Sequence, residues 1–208
     1  MSIGEKSPQR RRQVQAADTR RVIVEASGRL FRSRGFVGTT LETIAAESGV
    51  AVQTVYNSVG NKATLLSAVL DSAASDPGGA QALEFMREQS DLAPDLATLL
   101  EVHADWFVEV NQRTADVFAI ISQAAAVDAE VATLETDRGL QRLRRYSEAA
   151  ARVRERGGLT SGMTDAQAAA AIWSTAHPHT YRVLVSELGW SPEAYRDWVL
   201  KTLTGVLA

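Results

Sequence analysis

Apolar residues recur along this chain at spacings of three and four, the period of helices buried on one side. The two-residue alternation of a half-buried strand is absent, and Ala, Leu, Glu and Arg, all good helix formers, dominate. The expected fold class is all-α, with about nine helices. Ile23, Ala26, Leu30 and Phe31 form the stripe of a first helix over about residues 18–34. Leu41, Ile44 and Ala45 mark a short second helix, with Thr39 as its N-cap and Glu42 completing a capping box. Gly49 suits the left-handed turn that ends a helix and reverses the chain. A third helix covers about residues 52–58, with Val50 and Val55 turned inward. Asn61 caps a fourth, which buries Leu65, Leu66, Val69 and Leu70.

The Asp-Pro-Gly-Gly run at 76–79 is the clearest break. It predicts a flexible basic arm over 1–17, an N-terminal unit over 18–75 and a larger helical unit over 76–208. Beyond the break, helices are expected over about 81–90, 94–113, 115–127, 129–156, 165–188 and 192–207. Pro94 opens one of them, Gly157 and Gly158 stop another, and Thr164 caps a third. Pro178 lies inside the expected helix 165–188. There it removes a backbone hydrogen bond and clashes with the Ser174 carbonyl, which predicts a kink.

A length of 208 residues allows one medium domain or two small ones, and the apolar content of 45% supports a sizeable core. The lack of cysteine excludes disulfides, thiolate nucleophiles and Cys-based zinc sites, and fits a reducing cytoplasm. No apolar run approaches the roughly 18 residues of a membrane span. The basic, polar start is no secretory signal. The expectation is a cytoplasmic protein with no membrane partner. The net charge of −3 argues against a nucleic-acid binder, but its distribution reverses that reading. Residues 1–70 hold ten Lys/Arg against five Asp/Glu, or +5, and the remainder holds twelve against twenty, or −8. A basic head on an acidic body fits phosphate binding at one end.

The second and third helices, with their turn at Gly49, have the spacing of a helix-turn-helix, whose second helix reads DNA. Val52 opens that helix, and Gln53, Thr54, Tyr56 and Asn57 fall on or near its outer face. Such side chains meet base edges and phosphates. The first seventy residues resemble the DNA-binding domain of the TetR family of transcriptional repressors. The resemblance rests on residues 23–31, Gly35, Phe36, Thr39, Thr40, Ile44, Ala45, Gly49, Val50, Thr54, Val55, Tyr56, Lys62, Ala63, Leu65 and Leu66. Val59 stands where the family often has Phe, and Ala51 where it often has Ser. Residues 188–192 and the amphipathic helix after them resemble the family's last two helices. Between about 75 and 185 only helical pattern and length match. The resemblance implies phosphate contacts from Thr40, Tyr56 and Lys62, the last beside the amides that open the fourth helix. Gln53, Thr54 and Asn57 are the base-edge candidates. The arm with Arg10, Arg11 and Arg12 either enters a minor groove or is a solvated tail.

Leu99, His103, Trp106 and Val110 share one helix face, with Phe107 beside them. Phe118, Ile121, Trp173, His177 and Tyr181 lie on neighbouring helices. The set forms either an ordinary aromatic core or a cavity with apolar walls and a few orienting polar groups. Resemblance to the family, whose members often hold an effector between these helices, implies the cavity. Its ligand would be mostly apolar, with His103 and His177 as polar contacts. His177 and His179, two apart on a helix, point different ways with no carboxylate near, so no metal is assigned. There is no Gly-rich phosphate loop, G-x-S-x-G elbow or H-E-x-x-H, so no catalytic residue or cofactor is assigned.

Ala166, Ala169, Ala170, Trp173 and Ala176 form one stripe near the C-terminus, and Tyr195, Trp198, Val199, Leu203 and Val206 another. They predict a homodimer in which each monomer gives two helices to a four-helix bundle, unless they pack only within the chain. The sequence therefore reads as a repressor released from a palindromic operator by a small apolar effector. Two alternatives stand beside it. One is a DNA-binding regulator without a ligand. The other is a small-molecule-modifying helical enzyme using His103 or His177, which leaves residues 1–62 unexplained.

Overall fold

The computed structural model of the chain describes residues 8–75 and 79–208. The described residues are helical throughout, in the order α1 Pro8–Arg34, α2 Leu41–Ser48, α3 Val52–Val59, α4 Lys62–Ser75, α5 Gly79–Leu92, α6 Leu96–Ala125, α7 Ala129–Glu155, α8 Asp165–Thr175, α9 Pro178–Tyr181 and α10 Pro192–Leu207. Between α9 and α10 the chain continues as a π-helical segment, Arg182–Glu187. The chain divides into two compact units between Ser72 and Ala73, a few residues before the break at 76–79.

The N-terminal unit is built on α1, which buries Ile23, Ala26, Leu30 and Phe31 against α2 and α3. Val55 is the buried residue of α3. Burying a side chain of that size stabilises by about 1.5–3 kcal/mol, so this short helix hangs on one apolar anchor. A second tie comes from α1, where Arg20 Nη1 donates to the Ser58 carbonyl at 2.7 Å. Gly49 has φ 69°, the left-handed conformation that the turn demands.

Several expectations are corrected here. The helix α1 starts at Pro8, so residues 8–17, expected as a flexible arm, are helical. Proline suits a first turn, and no second proline follows it before Arg34. Residues 1–7 lie outside the described residues. The N-cap of α2 is Thr40, with Thr43 as its reciprocal partner, rather than Thr39 with Glu42. Thr39 is fully buried and donates its hydroxyl hydrogen to the Gly35 carbonyl at 2.8 Å instead.

In the second unit α6 packs against α5, α7, α9 and α10, and α8 lies against α7 and α10. The helices expected over 94–113 and 115–127 are one, capped by Asp95. Thr114 does not interrupt it, because its hydroxyl donates back to the Val110 carbonyl at 2.7 Å. Asn111 is buried and donates to the Ala176 carbonyl and to Tyr195 Oη, both at 3.1 Å. The helix expected over 165–188 breaks in two rather than kinking. His177 is the N-cap of α9 and Pro178 its first residue, where the missing N–H costs nothing. The Ser174 carbonyl accepts from Thr180 Oγ1 at 3.1 Å.

Arg156 closes the far end of α5 by donating to the carbonyls of Ser90, Asp91 and Ala93. A cation there satisfies carbonyls that have no intrahelical partner. Gly158 permits the close approach of α7 and α10, since a Cβ there would lie 2.7 Å from the Leu207 carbonyl. The inner face of α10, namely Tyr195, Val199, Leu203 and Leu207, is fully buried within the chain. Ala169 and Ala176 are buried too. Of the two expected dimer stripes, Ala169, Ala176, Tyr195, Val199 and Leu203 are therefore intrachain core.

Candidate nucleic-acid interface and ligand cavity

The outward face of α3 carries Val52, Gln53, Tyr56 and Asn57, all exposed, with Thr54 half-buried. Tyr56 is 58% exposed, far more than a core tyrosine would be. Gln53 Nε2 donates to Asn57 Oδ1 at 2.9 Å. The pair presents the Gln53 carbonyl and the Asn57 amide group outward as one acceptor–donor unit, one turn of helix long.

The three expected phosphate contacts are placed differently. Thr40 is exposed, and its hydroxyl accepts from the Thr43 N–H at 3.2 Å. That hydroxyl also holds the Glu42 carboxyl below its ordinary range, followed in effect by the Glu42 backbone N–H. A phosphate reaching Thr40 would compete with Glu42. Lys62 is half-buried, with Nζ 2.9 Å from the Phe36 carbonyl and 4.0 Å from the centre of the Phe36 ring. Two of its three N–H groups remain for other acceptors. Asn61 Oδ1 accepts from the Thr64 N–H at 2.9 Å and so caps the start of α4.

In the second unit a cavity of about 110 Å³, partly open to solvent, lies between α5, α6 and α7. His103, Trp106, Phe107, Val110 and Phe118 line it. A second recess, lined by Phe118, Trp173 and His177, adjoins the first at Phe118 and Arg142. Ile121 and Tyr181 line neither. Ile121 is fully buried, and Tyr181 packs edge-on against Tyr195 at 4.9 Å.

Sequence reasoning passed over the wall supplied by α7. Arg142 lies with its guanidinium carbon 4.3 Å from the Phe118 ring centre and 5.1 Å from that of Trp173. Tyr146, one turn on, meets Phe107 and Trp173 edge-on at 5.9 and 6.4 Å. Gly139, one turn before, makes room for the Trp173 ring, whose edge would lie 3.2 Å from a Cβ there. The signal was present as Gly139, Arg142 and Tyr146 at spacings of three and four, hidden in an Arg-rich helix that looks solvated.

Burial governs the electrostatics. His103, 4% exposed, is held down to about 4 by desolvation, helped by Arg152 and Arg156, so it is neutral at pH 7. His177 is also lowered to about 4, by desolvation first and then by Arg142 and His179. Desolvation lowers Arg142 and raises Tyr146. Among the described residues no group of three His, Cys, Asp or Glu is placed to hold a metal. No described helix is long and apolar enough to cross a membrane.

Residues 23–69 match the model of the tetR family of bacterial regulatory proteins. That segment holds α2 and α3, so the N-terminal unit is similar to the DNA-binding domain of that family. Over 63 residues the chain is 44% identical to the HTH-type transcriptional regulator TtgR of Pseudomonas putida. That match covers 30% of this chain and 30% of TtgR. Among solved structures, NalD, the secondary repressor of the MexAB-OprM multidrug efflux pump in Pseudomonas aeruginosa, aligns with a TM-score of 0.71 at 22% identity, covering 93% of this chain and 97% of NalD. A SmeT–triclosan complex aligns with a TM-score of 0.68 at 23% identity, covering 92% of each chain. At these identities the structural likenesses establish the TetR-like fold, an N-terminal helix-turn-helix domain followed by a larger helical domain.

Proposed function

We propose that this chain is a DNA-binding transcriptional regulator, a repressor that leaves a palindromic operator in the cytoplasm when a small organic effector fills the cavity around Trp106. The observation that carries the DNA half is the outward Gln53–Asn57 pair beside Tyr56, on a helix of the family's DNA-reading domain. The cavity, with its aromatic walls and the buried polar groups of His103 and Arg142, supports the effector half, as does the triclosan held by the fold neighbour SmeT.

The regulator acts as a homodimer, because a recognition helix of eight residues needs a two-fold partner to hold an operator. With the inner face of α10 buried in its own chain, the dimer uses the outer faces. These carry the exposed Ala166 and Ala170 on α8 and Val206 on α10, with Trp198 and Thr202 half-buried beside them. Effector binding favours one arrangement of the C-terminal helices, and α4 carries that preference toward the recognition helices. Operator affinity falls because the effector prefers the state that does not fit DNA. A catalytic reading has less support. His177 Nδ1 is engaged in capping α9, and His103 is a buried neutral imidazole with no carboxylate bonded to it.

The test is a fluorescence anisotropy titration with operator DNA, with and without ligands that raise the melting temperature. Cavity ligands should weaken operator binding. Ligands that bind the cavity and leave operator affinity unchanged would reduce the proposal to a DNA-binding regulator without an effector.

A further inference from the structure

Arg142 lies between the two recesses with no salt bridge among the described residues, although Glu135 is near enough to act on its charge. Its Nε and Nη1 are buried and have no hydrogen-bond partner among the described residues. Only Nη2 makes a polar approach, 3.5 Å from His177 Nε2. That approach is not a hydrogen bond, as the tautomer shows. His177 Nδ1 accepts the His179 backbone N–H at 3.1 Å while capping α9. A neutral imidazole that accepts at Nδ1 carries its hydrogen on Nε2. Arg142 Nη2–H and His177 Nε2–H are therefore two donors facing each other.

A second buried donor–acceptor group sits in the same cavity. His103 Nδ1 also has no partner among the described residues. The two recesses are lined by Arg87, Arg142, Arg145, Arg152 and Arg182 against two acids, Glu135 and Glu148, of which Glu148 lies 3.9 Å from Arg87. Leaving a buried cation unpaired is costly, and the aromatic rings of Phe118 and Trp173 compensate only in part.

We propose that the effector is an amphipathic organic acid, whose carboxylate sits on Arg142 and His177 and whose aromatic or alkyl body lies against Trp106, Phe107 and Phe118. A carboxylate is acceptor-only, and its two oxygens match donors that now face one another. The flat guanidinium, stacked on Phe118, is preoriented for it. A neutral apolar molecule would fill the same walls and leave the cation unpaired. A cation would be repelled. This inference rests on the effector reading of the cavity, but the two fail separately.

The experiment is isothermal titration of the full chain with 2-naphthoate and decanoate, each against its primary amide and its amine. The carboxylates should bind on the order of ten- to a hundredfold tighter than the amides, the range for hydrogen bonds to a charged group. In Arg142→Met the carboxylate preference should vanish while amide binding persists. Arg142→Lys, which keeps the charge and loses the planar fork, should restore part of the preference and serves if the Met variant does not fold. Equal affinities for acid and amide in the wild type, tighter binding of the amines, or no binding of either acid would each overturn the proposal. Arg142-dependent carboxylate binding without any effect on operator affinity would uphold it and overturn the effector reading alone.

Discussion

Gln53 donates its side-chain amide to Asn57 across one turn of α3, at 2.9 Å. The two residues therefore form one unit on the proposed DNA-reading face, and their substitutions should not be independent. Gln53→Ala and Asn57→Ala should each cost about 1–3 kcal/mol on the cognate operator. Because each single change breaks the same bond, the double variant should cost less than the sum. Anisotropy titrations of the three variants on the cognate site close the cycle. Strict additivity would mean that the pair does not act as a unit.

Tyr56→Phe and Lys62→Ala should weaken binding by similar factors on cognate and altered operators, because phosphate contacts carry little sequence information. The two should differ in stability. Lys62 is tied to the carbonyl and ring of Phe36, so Lys62→Ala should cost about 1 kcal/mol of folding free energy. Tyr56 is exposed, and its variant should melt like the wild type. Equal melting temperatures for wild type and Lys62→Ala would show that the lysine contributes nothing to the N-terminal unit.

How far the sequence was readable follows the range of each interaction. Gly49, Asn61 and Thr164 act within one turn of chain, and each sits where its local signal places it. The continuity of α6 through Thr114 and the break at Pro178 were not legible because both depend on distant partners. Thr114 bonds back into a helix held by packing on both sides, and Pro178 opens a new helix once His177 turns to cap it. Residues 8–17 read as a tail because they carry no apolar stripe, although nothing in them opposes a helix. Among the cavity residues, the aromatic stripe of α6 was visible as periodicity. Arg142 was not, because a charge between Arg138 and Arg145 gives no sequence sign of its burial against Phe118 and Trp173.

Asn111 joins α6 to the segment after α8 and to α10, through the Ala176 carbonyl and Tyr195 Oη. Asn111→Leu should remove both bonds and leave buried polar atoms without partners, at about 2–4 kcal/mol in total. Tyr195→Phe loses one hydroxyl contact and should cost about 1 kcal/mol. Urea unfolding followed by tryptophan fluorescence measures both. A loss for Asn111→Leu no larger than that for Tyr195→Phe would contradict the bridging role.

Stability should fall on acidification. His103 and His177 each have a folded-state pKa of about 4, below the ordinary 6.5. Between those values the unfolded chain binds more protons than the folded one, so stability rises with pH across the window and is lost as pH drops through it. For the deeply buried His103 the loss between pH 7 and pH 5 should be about 2 kcal/mol. His103→Gln should flatten this part of the melting-temperature profile. An unchanged slope would place the titration elsewhere.

Trp106 is half-buried on the cavity wall. Trp106→Ala should weaken the response to a cavity ligand severalfold and leave operator affinity close to wild type. Operator-release titrations, with melting temperature as the folding control, measure this. A folded variant with a normal response would place the effector elsewhere.

The central claim is that the α3 face reads a two-fold symmetric DNA site. The most direct measurement is selection of bound duplexes from a random pool, followed by titration of the enriched sequence at several salt concentrations. The account predicts an inverted repeat with half-sites one helical turn apart or somewhat more, about 34–36 Å in the simplest arrangement. It also predicts two or four chains per duplex and affinity that falls steeply with salt. Enrichment of no symmetric motif, with binding that Gln53→Ala and Asn57→Ala leave unchanged, would contradict it.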